Sequence, residues 1–482
     1  MLGIIFTIFC TELHEYTFHI DDHPEEGLEM PAIVLSHVCK RWRAVTLSLP
    51  TLWSSIRVEF NGLPCNIDIP LRMHLKNSKP KPLRISLNFD YHDLDDYLSA
   101  DYIFLSEEVK SAWDILLGAS ERFRELKLQL PPFDFPDIEG VSFPNLESVE
   151  DLLNEGHEML RPPWLADDED GPELPSEWLW DAIRAAPQLK EVTTLYYISS
   201  GYIPYAQLTT MNIADPNGAF ETEEFLAVFF TQCTNLISLT WESSGDPDET
   251  EPAPRVPDST VIPSLRYLNI TKGQNNRGPF GGYFLSACAS RVTFPSLRTL
   301  VFTADYWYPQ LSLIAHRSSR TLEKLVVKLP FPESLSTPEH QYAIKHMVLC
   351  LRNWDLPALL EFSLCAEYHA DTFGRAKIDR QSPLCGVILR TLLHKLHPQS
   401  RSFIRLRDLH ISLPGMTLNS ETVDSLIKVL EAHGDHLKRI QLFCAEEYKF
   451  DETMLGRTRA LHERNIQLRI DQLRGHNGEV IE

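Results

Sequence analysis

Beyond residue 60 one apolar spacing keeps returning along the chain. It runs leucine, two variable residues, an apolar residue, one variable residue, and another apolar residue. It reads LISLTW from Leu236, LRYLNI from Leu265, LRTLVF from Leu297 and LEKLVV from Leu322. It continues as LLEFSL from Leu359, LRDLHI from Leu406 and LKRIQL from Leu437. An imperfect copy, LKEV, starts at Leu189, and weaker ones are FRELKL at Phe123 and LRISL at Leu83. The last three positions alternate apolar and variable, which predicts a short half-buried strand. From Leu189 onward the anchors are 25 to 47 residues apart, so the repeat is irregular.

Several copies follow a proline: FPNL, APQL, IPSL, FPSL and LPAL. Proline there sets the turn into the strand without occupying an interior ladder position. Helical spacing often precedes the strand. ETVDSLIKVLEAHG places Val423, Leu426, Ile427 and Leu430 on one face, with Gly434 as a stop. SEWLWDAIRAAP groups Leu179, Ile183 and Ala186, with Ser176 as an N-cap candidate. ETEEFLAVFFTQC, HQYAIKHMVLCLRNW and GVILRTLLHKLHP behave alike. The unit is helix, turn, short strand, and stacking such units predicts an α/β fold with a parallel sheet. This resembles an irregular leucine-rich-repeat solenoid, which implies a curved sheet over residues 59–482 and a concave face for holding another protein. The outward strand positions would line that face: Tyr267, Asn269, Thr299, Lys324, Lys328, His410 and Arg439, with Ser238, Thr240, Glu242, Thr271, Val301, Thr303, Val326, Asp408, Ser412, Gln441 and Phe443. Acidic, proline-rich stretches at 165–177 and 242–260 interrupt the pattern and read as surface loops.

The N-terminus reads differently. Leu35, Val38, Trp42, Val45 and Leu49 step by three and four, which predicts one helix ended by Pro50. Ile5, Phe6, Ile8 and Phe9 suggest an earlier apolar helix, and HIDDHPEEGLEMP between them a polar connector. Trp53 follows the proline and can fold back onto the stripe. The stretch LSHVCKRWRAVTLSLPTLWSSI resembles the second half of an F-box of the fungal type, with its V-C-x-x-W-R core followed by P-x-L-W. LGIIFTIFC is similar to the first F-box helix. The resemblance implies a small all-helical module over residues 1–58 that docks a Skp-type adaptor of a cullin–RING ubiquitin ligase. Ile5, Phe6, Leu35, Val38, Cys39 and Trp42 would form its packed helices and adaptor-facing surface. The family motif opens with a Leu-Pro pair that this sequence lacks, so the module is expected to be incomplete at its N-terminus.

Composition narrows the partners. The chain has 482 residues, 43% hydrophobic and 23% charged, enough for a large core in two to four domains. Its net charge of −22 argues against nucleic acid or anionic membrane as the main partner. The nine cysteines form no C-x-x-C pair, which points to reduced thiols in a cytoplasmic or nuclear protein. The apolar run Leu2 to Cys10 is too short to span a bilayer.

Signals for catalysis are poor. There is no G-x-S-x-G elbow, no phosphate-binding G-x-x-x-x-G-K-S/T loop, and no G-x-G-x-x-G after a strand. The Gly-rich stretch 275–284 lacks the phosphate-loop lysine. His394 with His397, and His346 with Cys350, supply two metal ligands each where zinc takes three or four. No enzyme activity, cofactor or metal is expected. Two readings stand: a ligase substrate-recognition adaptor, and a solenoid interaction scaffold with no ligase link whose N-terminal helices only cap the repeats.

Overall fold

In a computed structural model of the chain, the described residues are 2–12, 18–20, 28–59, 67–88, 107–129, 140–151, 177–194, 203–215, 223–243, 260–272, 288–303, 308–330, 338–367, 383–396, 403–412, 418, 420–433, 436–444 and 450–472. The stretches 275–284, most of 165–177 and most of 242–260 lie outside them, as do Ser176, His397 and Gly434. The protein is a mixed α/β structure with a large, mostly parallel sheet. The chain divides into two compact units, Met1–Met211 and Asn212–Glu482.

In the first unit the strands are β1 (Phe18–Ile20), β2 (Leu28–Glu29), β3 (Ser55–Glu59), β4 (Leu83–Asn88), β5 (Phe123–Gln129), β6 (Ser148–Asp151) and β7 (Glu191–Thr194). From β3 to β7 each strand pairs in parallel with the next in the chain. β1 joins β3 in parallel and β2 antiparallel. The expected all-helical module is therefore corrected: the connector between its helices supplies two short strands to the sheet. Backbone pairing with β3 satisfies amide and carbonyl groups that a loop would leave to water. No unit boundary falls at residue 58. β8 (Thr210–Asp215) straddles the division between the units.

The second unit holds β9 (Ser238–Ser243), β10 (Thr260–Val261), β11 (Tyr267–Lys272), β12 (Val292–Thr293), β13 (Thr299–Thr303), β14 (Lys324–Pro330), β15 (Glu361–Glu367), β16 (Asp408–Ser412), β17 (Arg439–Cys444) and β18 (Gln467–Gln472). β10 and β12 pair only with each other. The rest run in chain order, each parallel to the next and in register. Parallel neighbours need a crossover, and helices supply it. Tyr308–Arg317 precedes β14, Pro338–Asn353 precedes β15, Pro383–Lys395 precedes β16, Ser420–His433 precedes β17, and Glu452–Glu463 precedes β18.

The sequence explains both layers. Leu236, Leu265, Leu297, Leu322, Leu359, Leu406 and Leu437 are all buried, as are the second and third apolar positions of each repeat. A buried leucine contributes about 1.5–3 kcal/mol relative to an exposed one. In Ser420–His433 the predicted stripe of Val423, Leu426, Ile427 and Leu430 is buried. Phe225 and Phe229 of the helix Glu223–Gln232 reach Trp241 of β9, with ring centroids 6.2 and 6.0 Å apart. That contact seats the helix on the apolar face of the strand.

The prolines work through a repeated turn. The carbonyls of Phe143, Ala186, Phe294 and Leu356 accept the N–H of Leu146, Leu189, Leu297 and Leu359 at 3.1–3.4 Å. Each closes a four-residue turn with Pro144, Pro187, Pro295 or Pro357 at its second position, where a fixed φ is favourable. The residue before the proline and the leucine after the turn are both buried.

Candidate protein interaction surfaces

The N-terminal surface is built by three short helical segments. Leu2–Thr7 continues into a turn of wider helix at Ile8–Glu12. Pro31–Val38 and Lys40–Leu47 follow, and Pro50–Trp53 forms a 3₁₀ turn. The single helix expected across Leu35–Leu49 is thus two helices. Cys39 breaks it with extended backbone, φ −161° and ψ 169°, and its Sγ accepts the N–H of Trp42 at 3.5 Å. The break turns Val38 off the buried stripe.

A small core holds these segments. Phe6, Cys10, Ala32, Leu35, Leu52 and Trp53 are buried, with Trp42, Val45 and Leu49 packed against them. Phe6 meets Trp42 edge-on at 4.9 Å. Trp53 donates its indole N–H to the Thr46 carbonyl at 3.0 Å and packs against His74 at 4.9 Å. Burial pushes the Cys10 thiol up to about 11, so it stays protonated at neutral pH.

Over this core the helices show solvent an apolar surface. Ile4, Ile5 and Ile8 are exposed on the first segment, and Val34 and Val38, one turn apart, on the second. Val38 is 58% exposed and Ile5 51%. Cys39 is exposed and Trp42 half-buried. Phe6 and Leu35, expected as part of the surface, lie inside and hold the helices together. Lys40, Arg41 and Arg43 are exposed beside them.

The second surface is the polar face of the second unit's sheet. Register sets its residues in rows. One row is Ser238, Tyr267, Thr299, Lys324, Glu361, Asp408 and Arg439. The next is Thr240, Asn269, Val301, Val326, Ser363, His410 and Gln441, and a third contains Lys328, Cys365, Ser412 and Phe443. Tyr267, Asn269, Thr299, Lys328 and His410 are partly exposed, and Lys324 and Arg439 exposed. Val301 and Thr303, expected to point into solvent, are buried, while Thr299 at the start of the same face stays partly exposed. Val301 stands in register between Asn269 and Val326 on adjacent strands and shares an apolar rung with Val326.

Ions pair across the rungs. Lys324 meets Glu361 at 2.9 Å and Arg439 meets Asp408 at 3.6 Å. His410 and Phe443 rings lie 5.3 Å apart, and burial holds the imidazole below its ordinary pKa, partly offset by its hydrogen bond with Gln441.

Besides the very short β1 and β2, sequence reasoning missed β3, β8 and β18 of the ladder. β8 follows Leu208, Met211 and Ile213, a copy with methionine in the second apolar place. β3 carries Ile56 and Val58 with Trp53 in the leading place, and β18 carries Leu468 and Ile470 with Asn465 there. Admitting any apolar residue at each place would have found β3 and β8, and β18 would still have escaped because Asn465 leads it.

Among the described residues no group of three or more His, Cys, Asp or Glu is placed to hold a metal, and no helix is long and apolar enough to cross a membrane. His394 is exposed, and Cys350 is buried with its thiol pushed up to about 11 by desolvation. No protein-family model and no curated protein matches the chain.

Proposed function

We propose that the protein is a substrate-recognition adaptor of a cullin–RING ubiquitin ligase. Its N-terminal F-box-like helices would dock a Skp-type adaptor, and an irregular leucine-rich-repeat-like solenoid would hold the target. The reading is carried by one observation. The segment bearing V-C-K-R-W-R buries Phe6, Leu35 and Trp53 and leaves Ile4, Ile5, Ile8, Val34 and Val38 in water. Large apolar side chains left in water gain free energy when a partner covers them. The polar sheet face supports the target half, because parallel ladders of this kind offer broad binding surfaces.

The test is capture of a purified Skp-type adaptor by the purified full chain. Wild-type protein is expected to bind. Val38→Asp combined with Ile5→Asp is expected to weaken binding at least about tenfold, since a charge at the centre of an apolar contact must be desolvated. Both positions are exposed, so unfolding transitions should not shift. A folded wild-type chain that captures no adaptor would sink this reading.

A second reading is an interaction scaffold with no ligase link. Trp53 favours it: the ring is buried and packs on His74 of the helix Asp68–Asn77, as a cap on the first strands would require. In that case the charge pair leaves every partner interaction unchanged.

A further inference from the structure

We infer that the middle row of the second unit's polar sheet face is a docking site for an extended, uncharged stretch of a partner protein. The inference rests on the proposed role of this sheet in holding the target, and it names the chemistry of what is held.

Register carries that row across the ladder from Thr240 on β9 to Gln441 on β17 without an acid, a lysine or an arginine. It ends at Arg469 on β18. At the usual strand spacing of about 4.8 Å the row is roughly 29 Å long, the span of about nine extended residues. Its members are partly exposed except Val301, which is buried.

One atom in the row lacks a partner. The Asn269 Oδ1 is buried and accepts no hydrogen bond among the described residues. A buried oxygen without a donor is costly, and folded proteins leave few of them. Beside it Val301 and Val326 form an apolar rung, and farther along the His410 and Phe443 rings lie 5.3 Å apart. A segment laid along the row brings a backbone N–H to Asn269 and apolar side chains to Val326 and the ring pair.

Charge selects the occupant. The row at the strand starts is charged, but Lys324 meets Glu361 at 2.9 Å and Arg439 meets Asp408 at 3.6 Å. In the row beyond, Glu242 and Lys328 are already engaged. An acidic or basic segment would therefore lose hydration over the middle row with no counter-charge to replace it. The fold itself does not require an uncharged row. His410 in LRDLHI holds the place of Lys127 in FRELKL. The first unit's corresponding row carries Arg57, Lys127 and Glu150, and Lys127 meets Glu150 at 2.6 Å.

The experiment offers the labelled full chain an array of immobilised nonapeptides. Half are drawn from uncharged residues, and half carry Asp, Glu, Lys or Arg at alternate positions. Binding is expected mainly in the uncharged half. Val326→Glu should weaken it about tenfold or more, because the new charge must be desolvated under the bound segment. Val326→Thr, of nearly the same shape, should weaken it to a lesser degree and leave the circular dichroism spectrum unchanged. Asn269→Ala deletes the unpartnered oxygen, so binding should weaken about three- to tenfold while the unfolding transition does not fall. A purely structural Asn269 would give the opposite pattern and overturn the inference. No binding, or uncharged binding that all three variants leave unchanged, would overturn it as well. Charged peptides that bind and are lost with Val326→Glu would overturn the chemistry and keep the sheet as the target surface. Adaptor capture is scored on the same preparations, and its loss alone removes the ligase reading and leaves this site intact.

Discussion

Trp53 ties the N-terminal helices to the helix Asp68–Asn77 through two kinds of contact. Its indole N–H bonds the Thr46 carbonyl, and its ring packs on His74. Trp53→Ala is expected to cost about 3–5 kcal/mol in denaturant unfolding, from lost burial and the cavity left behind. Trp53→Phe keeps much of the packing and removes one hydrogen bond from the Thr46 carbonyl, which still accepts the Leu49 N–H at 3.3 Å, so about 0.5–1.5 kcal/mol is expected. His410 gives a pH effect of known sign. Its folded pKa is lowered from the ordinary 6.5, so the unfolded chain takes up the proton more readily. Its contribution to stability is full above that value and is lost as pH falls below it. His410→Gln should flatten the pH dependence of unfolding there. A steeper profile in the variant would refute the assignment. Cys39 shows where residue-level reading stops. The spacing of Leu35, Val38, Trp42 and Val45 fits one helix, and only the extended backbone at Cys39 turns Val38 outward.

At the level of the element, the four-residue turn before each strand carries the repeat. Leu297 is buried and its N–H closes the turn to the Phe294 carbonyl at 3.2 Å. Leu297→Ala is expected to cost about 2–5 kcal/mol. Pro295→Ala removes no hydrogen bond and frees the unfolded chain, so it should cost about 0.4–1 kcal/mol and leave the spectrum of the folded protein unchanged. A Pro295 effect as large as the leucine's would mean that the ring packs into the core. These elements were legible because two periods coincide. Apolar residues two apart mark the strand, and apolar residues three and four apart mark the helix before it. β1 and β2 were not legible, because strands of three and two residues are too short to show a period. The polar rows were legible as a face. The burial of Val301 and Thr303 was not, since alternation places them on the polar face with Thr299.

For the molecule as a whole, charge sets two salt effects of opposite sign. The net charge of −22 makes the folded chain repel itself, and that repulsion acts over long distances. The rung-to-rung pairs act at contact: Lys127 with Glu150 at 2.6 Å, Lys324 with Glu361 at 2.9 Å, and Arg84 with Glu125 at 3.3 Å. Raising salt from ~0.01 to ~0.15 M shortens the Debye length from about 30 to about 8 Å. Both lengths exceed the contact distances, so the pairs are weakened little, and each is worth at most about 1 kcal/mol. The distant repulsions are largely screened. Thermal unfolding should therefore move to higher temperature across that range, by a few degrees. A transition that falls with salt would mean that the contact pairs outweigh the net repulsion.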